Sequence, residues 1–225
     1  EEKVGAVRFA DRQPSVLFLP PVVTDLRVTP EGKTLLFGDT DGTLWATDLA
    51  DPSQRHTLGT HPRVAYLSVS PDGHLLATGA WQGTDVHVWD WMKGELVHTI
   101  SIPLATKVAF SPDGRWLATS ESEHILWDVR SWEAIARFPS PGYMEVPGEI
   151  TFSSDFRLMA VRDGPDTIAL IDLQHLAPVA HLRCPAPIMF RGLAFTPDGS
   201  RLIVLDDTRG HLLHSWDLRV LRRQL

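Results

Sequence analysis

The chain has 225 residues, of which 43% are apolar, so it can bury a core, and both intrinsic disorder and a disulfide-stapled miniprotein are excluded. Its formal net charge of -7 argues against nucleic acid as a partner, because phosphate binding depends on clustered Lys and Arg side chains. No apolar stretch approaches the roughly 20 residues that cross a bilayer, which argues against a membrane protein.

The composition also bears on the compartment and the source. The single cysteine, Cys184, cannot form an internal disulfide or a Cys-rich metal site, and a lone thiol is more often an inert small hydrophobe than a nucleophile. A reducing, cytoplasmic location fits this composition. The chain contains 17 Arg, 4 Lys and no Asn, a bias that indicates a GC-rich, bacterial coding sequence.

The first predicted elements along the chain are two short strands, at 7–11 and 15–19, which resemble the third and fourth strands of a unit. The strand at 7–11 ends in Asp, like the third strands of the units described below. The chain is therefore expected to begin inside a structural unit, with a partial blade at 1–20.

A five-residue phrase then recurs between alternating apolar segments. It stands at 28–32, 69–73, 110–114 and 195–199, and in a degraded form at 152–156, so that the starts are 41, 41, 42 and 43 residues apart. In the intact copies Pro presets φ, the acidic residue bonds its own backbone and Gly accepts positive φ, so the phrase predicts a tight turn. A period near 40 is typical of repeat architectures.

The unit at 61–102 shows the predicted elements most clearly. Alternation predicts a first strand at 64–69, and the turn phrase separates it from a second strand at 75–79. A third strand at 86–90 and a fourth at 96–100 follow. Four short antiparallel strands per unit make one blade of a β-propeller.

The third strands end in a recurring pair of residues. Trp and Asp stand together at Trp89, Asp90, Trp127, Asp128, Trp216 and Asp217, and the Asp alone is kept at Asp48 and Asp172. With the turn phrase, this pattern resembles the WD-repeat β-propellers of bacteria. The resemblance covers nearly the whole chain and implies an all-β fold of about five four-stranded antiparallel blades, at about 21–60, 61–102, 103–142, 143–186 and 187–217, with a tail at 218–225.

Regular family members hold each blade with a hydrogen-bond network of His, Ser or Thr, Asp and Trp. His61, Thr78 and Trp89 match three of these positions in the second unit, but Gln82 stands where the resemblance implies Asp. We therefore expect blades held mainly by apolar packing between the sheets.

The ends of the chain leave two arrangements open. The fifth unit stops after its third strand, and apolar residues at 218, 221 and 225 predict a helical tail. In one arrangement the strand at 15–19 completes that unit and closes a five-bladed ring. In the other, which the extra strand at 7–11 favours, the chain is the C-terminal portion of a larger, seven-bladed ring, or its ring is completed by another segment.

The search for chemistry predicts no catalytic residue, no cofactor and no metal site. His211 and His214 are the closest histidine pair, but residues three apart on a strand point to opposite faces and cannot chelate one ion. The third-strand Asp residues recur in every unit and are therefore expected to be structural. No catalytic elbow or phosphate-binding glycine loop is present.

The resemblance implies that first-strand starts and the loops between second and third strands gather on one rim, where WD-repeat proteins commonly bind partners. The candidate rim residues are Asp25, Tyr66, Trp81, Lys107, Glu121, Glu123, Glu149, Arg162, Asp163, Arg191, Asp207 and Arg209. Acids are the most numerous, which predicts a basic partner, although Asp also favours turns for its own backbone hydrogen bonds. Trp81 is the large aromatic of this set in a loop, and it either contacts a partner or packs on the adjacent blade.

Two functions remain open at this point. The first is a non-catalytic interaction scaffold that docks a protein partner, or another domain of its own polypeptide, through the candidate rim. The second is a propeller-type, lactonase-like hydrolase with a site at the central channel. The second needs several convergent His, Asp or Glu side chains, and the first-strand segments 63–69, 104–110 and 190–195 contain no His.

Overall fold

The computed structural model describes residues 22–51, 53–102, 106–121, 123–139, 149–208 and 212–223. Within them the chain forms β-strands in five antiparallel sheets and one short helix. The first sheet contains β1 (Val23–Val28), β2 (Thr34–Asp39), β3 (Thr43–Asp48) and β4 (Arg55–Thr60). The second contains β5 (Val64–Val69), β6 (Leu75–Ala80), β7 (Asp85–Asp90) and β8 (Glu95–Ser101).

The third sheet contains β9 (Lys107–Phe110), β10 (Trp116–Ser120), β11 (Glu123–Asp128) and β12 (Ala134–Pro139). The fourth contains β13 (Ile150–Phe152), β14 (Leu158–Arg162), β15 (Thr167–Asp172) and β16 (Ala177–Arg183). The fifth has three described strands, β17 (Phe190–Phe195), β18 (Arg201–Asp206) and β19 (Leu212–Asp217). The all-β fold of blade-like sheets predicted from the sequence is thus confirmed.

The sheets are stacked through their first strands. β1 lies beside β5, β5 beside β9, β9 beside β13, and β13 beside β17. Within each sheet every strand pairs with the next one along the chain, so each sheet is a four-stranded or three-stranded meander. This is the arrangement of blades in a propeller, whose first strands face the axis. The strand predicted at 15–19 lies outside the described residues.

The recurring phrase forms the same turn in each sheet. In the second sheet the amide of Gly73 donates to the Ser70 carbonyl at 2.9 Å, and the Ser70 hydroxyl donates to an Asp72 carboxylate oxygen at 2.5 Å. Gly73 has a φ of 76°, as the phrase predicts. In the degraded copy Phe156 takes a φ of 63° at the same position, so the turn survives the loss of its glycine.

The core lies between neighbouring sheets. Leu36 and Leu44 of the first sheet pack with Leu67, Leu76 and Trp89 of the second, and all are buried. A similar cluster joins the third and fourth sheets. The sheets approach closely enough that a β-carbon on Gly79 would lie 2.0 Å from the Thr106 carbonyl oxygen in the segment before β9. Sheet-to-sheet packing therefore depends on small residues at some positions.

The acids that end the third strands cap the turns that follow them. One carboxylate oxygen of Asp128 accepts the backbone amides of Arg130 and Ser131, at 2.8 and 3.0 Å. Asp172 and Asp217 each accept the amide two residues further on, at 2.7 and 3.0 Å. These bonds hold the turn to the fourth strand, or to the tail, in the usual manner of Asp in turns.

The second sheet is an exception to the expectation that the blades are held mainly by apolar packing, because it contains the complete hydrogen-bond network. Thr78 Oγ1 lies 2.7 Å from His61 Nδ1 and accepts the indole N–H of Trp89 at 3.0 Å. Asp85 supplies the missing carboxylate, since its Oδ1 lies 3.3 Å from His61 Nε2. The prediction failed because it looked for the acid at Gln82, inside the loop, whereas the acid opens the third strand.

The chain after β19 turns into helix α1 (Arg219–Arg222), which confirms a helical tail over part of the predicted range. Leu218 is buried, and Leu221 packs against the same apolar cluster as Ile188 and Leu202. With four residues, this helix is far too short to cross a bilayer, and the described residues contain no membrane-spanning helix.

Candidate functional site

Side chains at matching positions of the first strands meet at one end of the sheets. We call Asp25, Tyr66, Lys107, Glu149 and Arg162 the inner-strand cluster. The first four each stand three residues before a turn phrase, in four successive sheets. Glu149 accepts the Arg162 amide at its carbonyl at 3.0 Å, which brings β14 into the same group.

A β-bulge precedes two members of the cluster. The register with the second strand shifts between Val23 and Asp25, and again between Val64 and Tyr66. Such bulges re-aim side chains and often lie next to functional sites. The same bulge therefore directs Asp25 and Tyr66 in neighbouring sheets.

The fifth sheet departs from the predicted site at Arg191. The register position that matches Tyr66 is held by Gly192, since Tyr66 lies opposite Gly79 and Gly192 opposite Leu205. Arg191 falls inside the bulge, one residue earlier. Counting three residues back from the phrase at 195–199 also gives Gly192. The sequence alone therefore identifies Gly192, and not Arg191, as the position equivalent to Tyr66.

An ion pair lies at the centre of the cluster. The ammonium group of Lys107 bonds to a carboxylate oxygen of Glu149, and the two side chains are 22% and 17% exposed. The same ammonium group lies 5.4 Å from the centre of the Tyr66 ring. Lys107 thus links the second, third and fourth sheets through one cationic group.

Tyr66 is held in its neutral form. Burial raises the pKa of its phenol to about 12, and the negative charges of Glu149 and Asp25 add to the effect. At neutral pH the hydroxyl is therefore protonated and available as a hydrogen-bond donor.

The two ends of the cluster are fixed by bonds of their own. Asp25 Oδ2 accepts the Leu67 amide at 2.8 Å, which ties the first sheet to the second. The Nε–H of Arg162 donates to the Gly164 carbonyl at 3.0 Å, and its guanidinium carbon lies 4.8 Å from the Phe190 ring centre. Burial lowers the pKa of Arg162 and Glu149 opposes that shift.

The outer candidate residues do not join the cluster. Glu123 pairs with Arg137 at 3.0 Å, Asp163 Oδ2 lies 3.2 Å from His181 Nε2, and Arg191 bonds Asp207 at 2.9 Å. In each pair both residues lie on strands of the same sheet or directly follow one of its strands. Local cations therefore offset part of the acidity that the sequence suggested.

Two further candidate rim residues, Trp81 and Glu121, lie in loops between second and third strands. Trp81 lies in the loop between β6 and β7 and is 39% exposed. Its amide donates to the Arg63 carbonyl at 2.8 Å, so the loop is anchored while the indole is partly free. Glu121 is half-buried and its amide donates to the Glu123 carbonyl at 3.1 Å. Arg209 lies outside the described residues.

One group of polar side chains was missed by the sequence analysis. His61, Asp85 and His87 have donor atoms that all lie within 4.8 Å of one another. Asp85 and His87 are two apart on β7, and alternation puts such residues on the same face of a strand. That spacing was a usable signal, whereas His61 is brought to them only by the fold.

Cys184 and His214 match the conservative expectations. The thiol is buried, and burial raises its pKa to about 11, which disfavours the reactive thiolate at neutral pH. His214 Nε2 lies 3.3 Å from Asp206 Oδ2, which gives the ring a partner within its own sheet. His211 lies outside the described residues.

Comparison with known proteins shows which proteins these repeats resemble. Residues 41–130 match the family model described as eukaryotic translation initiation factor eIF2A, which is less than half of the chain. The WD repeat-containing protein sll1491 of Synechocystis is 34% identical over 119 residues, which cover 50% of this chain and 32% of that protein. The ribosomal protein RACK1y of rice is 29% identical over 105 residues, covering 45% of this chain and 31% of RACK1y. The chain is therefore similar to WD-repeat proteins, and its sheets have the β-propeller fold.

Solved structures agree on the propeller fold. The β-propeller domain of Myceliophthora Cps50 (Swd1) superposes with a TM-score of 0.75 at 18% identity, over 91% of this chain and 68% of that one. Hydrazine synthase of Kuenenia stuttgartiensis superposes with a TM-score of 0.72 at 14% identity, over 95% of this chain and 70% of that one. At these identities the likeness shows the fold alone, and one of the two matched structures is by name an enzyme.

The match to the curated relatives is partial. The chain covers 20%, 31%, 5% and 32% of the lengths of the first four relatives. What those whole proteins do therefore belongs to them, and it bears on this chain only as a proposal.

Proposed function

We propose that the chain is a non-catalytic interaction scaffold that docks a protein partner, or a neighbouring domain, at the rim formed by the inner-strand cluster and the Trp81 loop. The observation that carries the proposal is the meeting of Asp25, Tyr66, Lys107 and Glu149 from four sheets. A half-buried group of donors, acceptors and one aromatic ring offers polar contacts that would set the specificity of a protein partner.

Trp81 adds an anchor at the edge of that surface. An indole that is 39% exposed on an anchored loop has apolar area left to bury against a partner. Interface energy concentrates in such aromatic residues, while the surrounding polar contacts set specificity. One relative is consistent with a role in assemblies, since RACK1y is by name a protein of the small ribosomal subunit.

The basic character of the partner stays a prediction. Charge reversal of Glu121 and Glu123 to Lys tests it, because steering by these acids would be lost. We expect slower association at low salt and little change at high salt. An association rate unaffected by both substitutions would contradict a basic partner and would not bear on the scaffold function itself.

A cytoplasmic location and a bacterial source also stay predictions.

Site-specific photocrosslinking tests the docking surface. A photoreactive phenylalanine analogue at position 81 is expected to crosslink the partner, and the same analogue at Met92 is the control. Met92 is 55% exposed and lies in the turn between β7 and β8, at the opposite end of the sheet from Trp81. Equal crosslinking from positions 81 and 92, or crosslinking from 92 alone, would contradict the proposed rim.

The hydrolase alternative receives no support from the cluster. A channel site for ester or lactone hydrolysis needs convergent histidines and carboxylates, often around a metal. The first-strand side chains that meet are Asp25, Tyr66, Lys107 and Glu149, and their ion pair already uses one of the two carboxylates. Metal-dependent turnover of esters that is abolished by Glu149→Gln would overturn this preference.

We further propose that the described sheets form part of a larger ring, or of a ring completed by another segment. Leu26 of β1 is 45% exposed, whereas Leu67, at the matching position of the second sheet, is 1% exposed. At the other end, Leu213 of β19 is 71% exposed. Apolar side chains on the outer faces of the first and fifth sheets favour coverage by further blades.

A pair of matched substitutions tests this second proposal. Leu26→Ser is expected to leave the stability of the isolated chain nearly unchanged, and to destabilise the parent polypeptide in which the face is covered. Leu67→Ser is expected to destabilise both. A neutral Leu26→Ser in the parent polypeptide would contradict coverage of this face.

A further inference from the structure

A cavity lies between the end of the second sheet and the outer strands of the third. Its volume is about 160 Å³, and the described residues that line it include Ile102, Glu121, Glu123, Ile125, Trp127 and Arg137. At about 30 Å³ for each water molecule, the space corresponds to about five waters. It can therefore hold the polar end of one large side chain.

The backbone shows that Ile102 stands in the third sheet where His61 stands in the second. The His61 amide donates at 2.7 Å to the carbonyl of Gly42, the residue directly before β3. The Ile102 amide donates at 3.0 Å to the carbonyl of Thr84, the residue directly before β7. Each residue thus bonds to the start of the third strand in the preceding sheet.

The rest of the hydrogen-bond network is kept in the third sheet. Thr119 Oγ1 accepts the indole N–H of Trp127 at 2.9 Å, as the equivalent threonine does in the second sheet. Glu123 is the first residue of β11, as Asp85 is of β7. The hydroxyl, the indole and the acid are therefore present, and the basic member has been replaced by Ile102.

The cavity occupies the place of the missing imidazole. In the second sheet the His61 ring lies beside Asp85 and stacks on His87. The register of the strands makes Ile125 the equivalent of His87, and Glu123 stands two residues before Ile125. Glu123 and Ile125 both line the cavity.

The lining favours a cation. Glu121 and Glu123 supply two carboxylates against the one guanidinium of Arg137, which leaves an excess of one negative charge. Trp127 adds an indole, whose ring attracts cations. A guanidinium is planar, so it can form paired bonds to a carboxylate while it lies against an aromatic ring, whereas an ammonium group acts as a point charge.

We propose that this cavity receives the guanidinium group of an arginine side chain on the docked partner. Because the arginine belongs to the partner, this proposal rests on the proposed function. The incoming group pairs with Glu123 and replaces Arg137 there. The Glu123 and Arg137 side chains are 47% and 54% exposed, and an ion pair at such a surface costs little to open.

Titration of the full chain with N-acetyl-arginine N-methylamide tests the cavity without the partner. We expect a weak, saturable shift of the Trp127 indole signal in proton–nitrogen NMR spectra, and Trp127→Phe assigns that signal. The citrulline analogue, in which a neutral ureido group replaces the guanidinium, is expected to produce no shift. The lysine analogue is expected to bind more weakly than the arginine probe.

Three variants and one control locate the binding. Glu123→Gln is expected to weaken it at least about fivefold, because the charged acceptor is lost. Ile102→His restores the imidazole and fills the cavity, so the shift should disappear. Arg137→Ala removes the competing cation and should strengthen binding about twofold or more. Glu133→Gln should leave it unchanged, because Glu133 is exposed in the turn between β11 and β12, at the opposite end of the sheet.

The outcomes that overturn the proposal are distinct. They are the absence of a saturable shift in the unaltered chain, equal binding of the citrulline or lysine analogue, and an unchanged titration in Glu123→Gln or Ile102→His. Weaker binding in Arg137→Ala would also overturn it, because Arg137 would then hold the probe. The exposed position of Glu123 keeps its substitution from disturbing the fold, and the Tm of Ile102→His checks that this variant is folded.

The proposed function fails by a different result. Crosslinking from position 81 together with a negative titration would reject the cavity and leave the docking surface in place. A positive titration without any crosslink from position 81 would reject the docking surface, and with it the partner as the source of the arginine.

Discussion

Lys107 and Glu149 form an ion pair between the third and fourth sheets, at matching positions 42 residues apart in the chain. The repeat brings equivalent positions of neighbouring sheets side by side, so residues separated by one period become contacts. The pair is partly buried and also touches Tyr66 of the second sheet. The repeat period is thus the reason why a charged cluster forms at one end of the propeller.

Loss of this pair is expected to destabilise the fold modestly. Lys107→Met leaves the Glu149 carboxylate partly buried without its cation, at a cost of about 1 kcal/mol after allowance for solvent screening. Lys93→Met is the matched control, because Lys93 also pairs with an acid but is 65% exposed. Urea unfolding of both variants measures the difference. Equal losses would mean that the Lys107 pair has no special role between sheets.

Thr78 is expected to be the most sensitive hydroxyl of the second sheet. Thr78→Val deprives both His61 Nδ1 and Trp89 Nε1 of their partner, and two buried orphans cost about 2–3 kcal/mol. Thr99→Val on the exposed side of β8 should change the free energy of unfolding by less than about 0.5 kcal/mol. Similar small effects of both changes would contradict the network.

Stability is expected to fall between pH 7 and pH 5. Burial lowers the folded-state pKa of His61 to about 4, and burial also lowers that of His124, so the unfolded chain binds more protons in this range. Their contribution is therefore complete above about pH 6.5, the unfolded value, and is lost as the pH falls toward the folded value.

Urea unfolding across this range measures the effect. His124→Gln should reduce the slope of stability against pH, and His56→Gln, on the exposed strand β4, should leave it unchanged. A flat profile in the unaltered chain would show that neither imidazole is buried in its neutral form.

Glycine substitutions separate packing from backbone strain. Gly79→Ala places a methyl group 2.0 Å from the Thr106 carbonyl oxygen and is expected to cost about 3 kcal/mol, because backbone must move. Gly32→Ala meets no atom within 4 Å but has a φ of 71°, and should cost about 1 kcal/mol. Thermal unfolding gives both values. A smaller loss for Gly79→Ala than for Gly32→Ala would contradict the close approach of the sheets.

Local chemistry was sufficient to predict the repeated elements. In the second unit the predicted strands agree with β5 to β8 to within two residues, because the Pro, Asp and Gly of each phrase determine where the chain turns. Cys184 was predicted to behave as a small hydrophobe, and its burial agrees with that prediction.

The site was harder to predict, because it depends on register and on contacts between distant residues. Arg191 stands four residues before its turn phrase rather than three, so both the spacing and the register make Gly192 the equivalent position. Asp85 was overlooked because the acid was expected at Gln82, whereas it stands at the first residue of β7. Glu123 pairs with Arg137 and Asp163 lies beside His181, in each case on another strand, so the sequence could not show that these acids have such neighbours.

The central claim is that the rim with the inner-strand cluster and Trp81 binds the partner. Its most direct test is the affinity of the crosslinked and identified partner for Trp81→Ala and Lys107→Ala, with Lys93→Ala as the control on the opposite side. We predict that each rim substitution weakens binding about tenfold or more and that Lys93→Ala leaves it unchanged. Equal affinity of all three variants and the unaltered chain would contradict the claim.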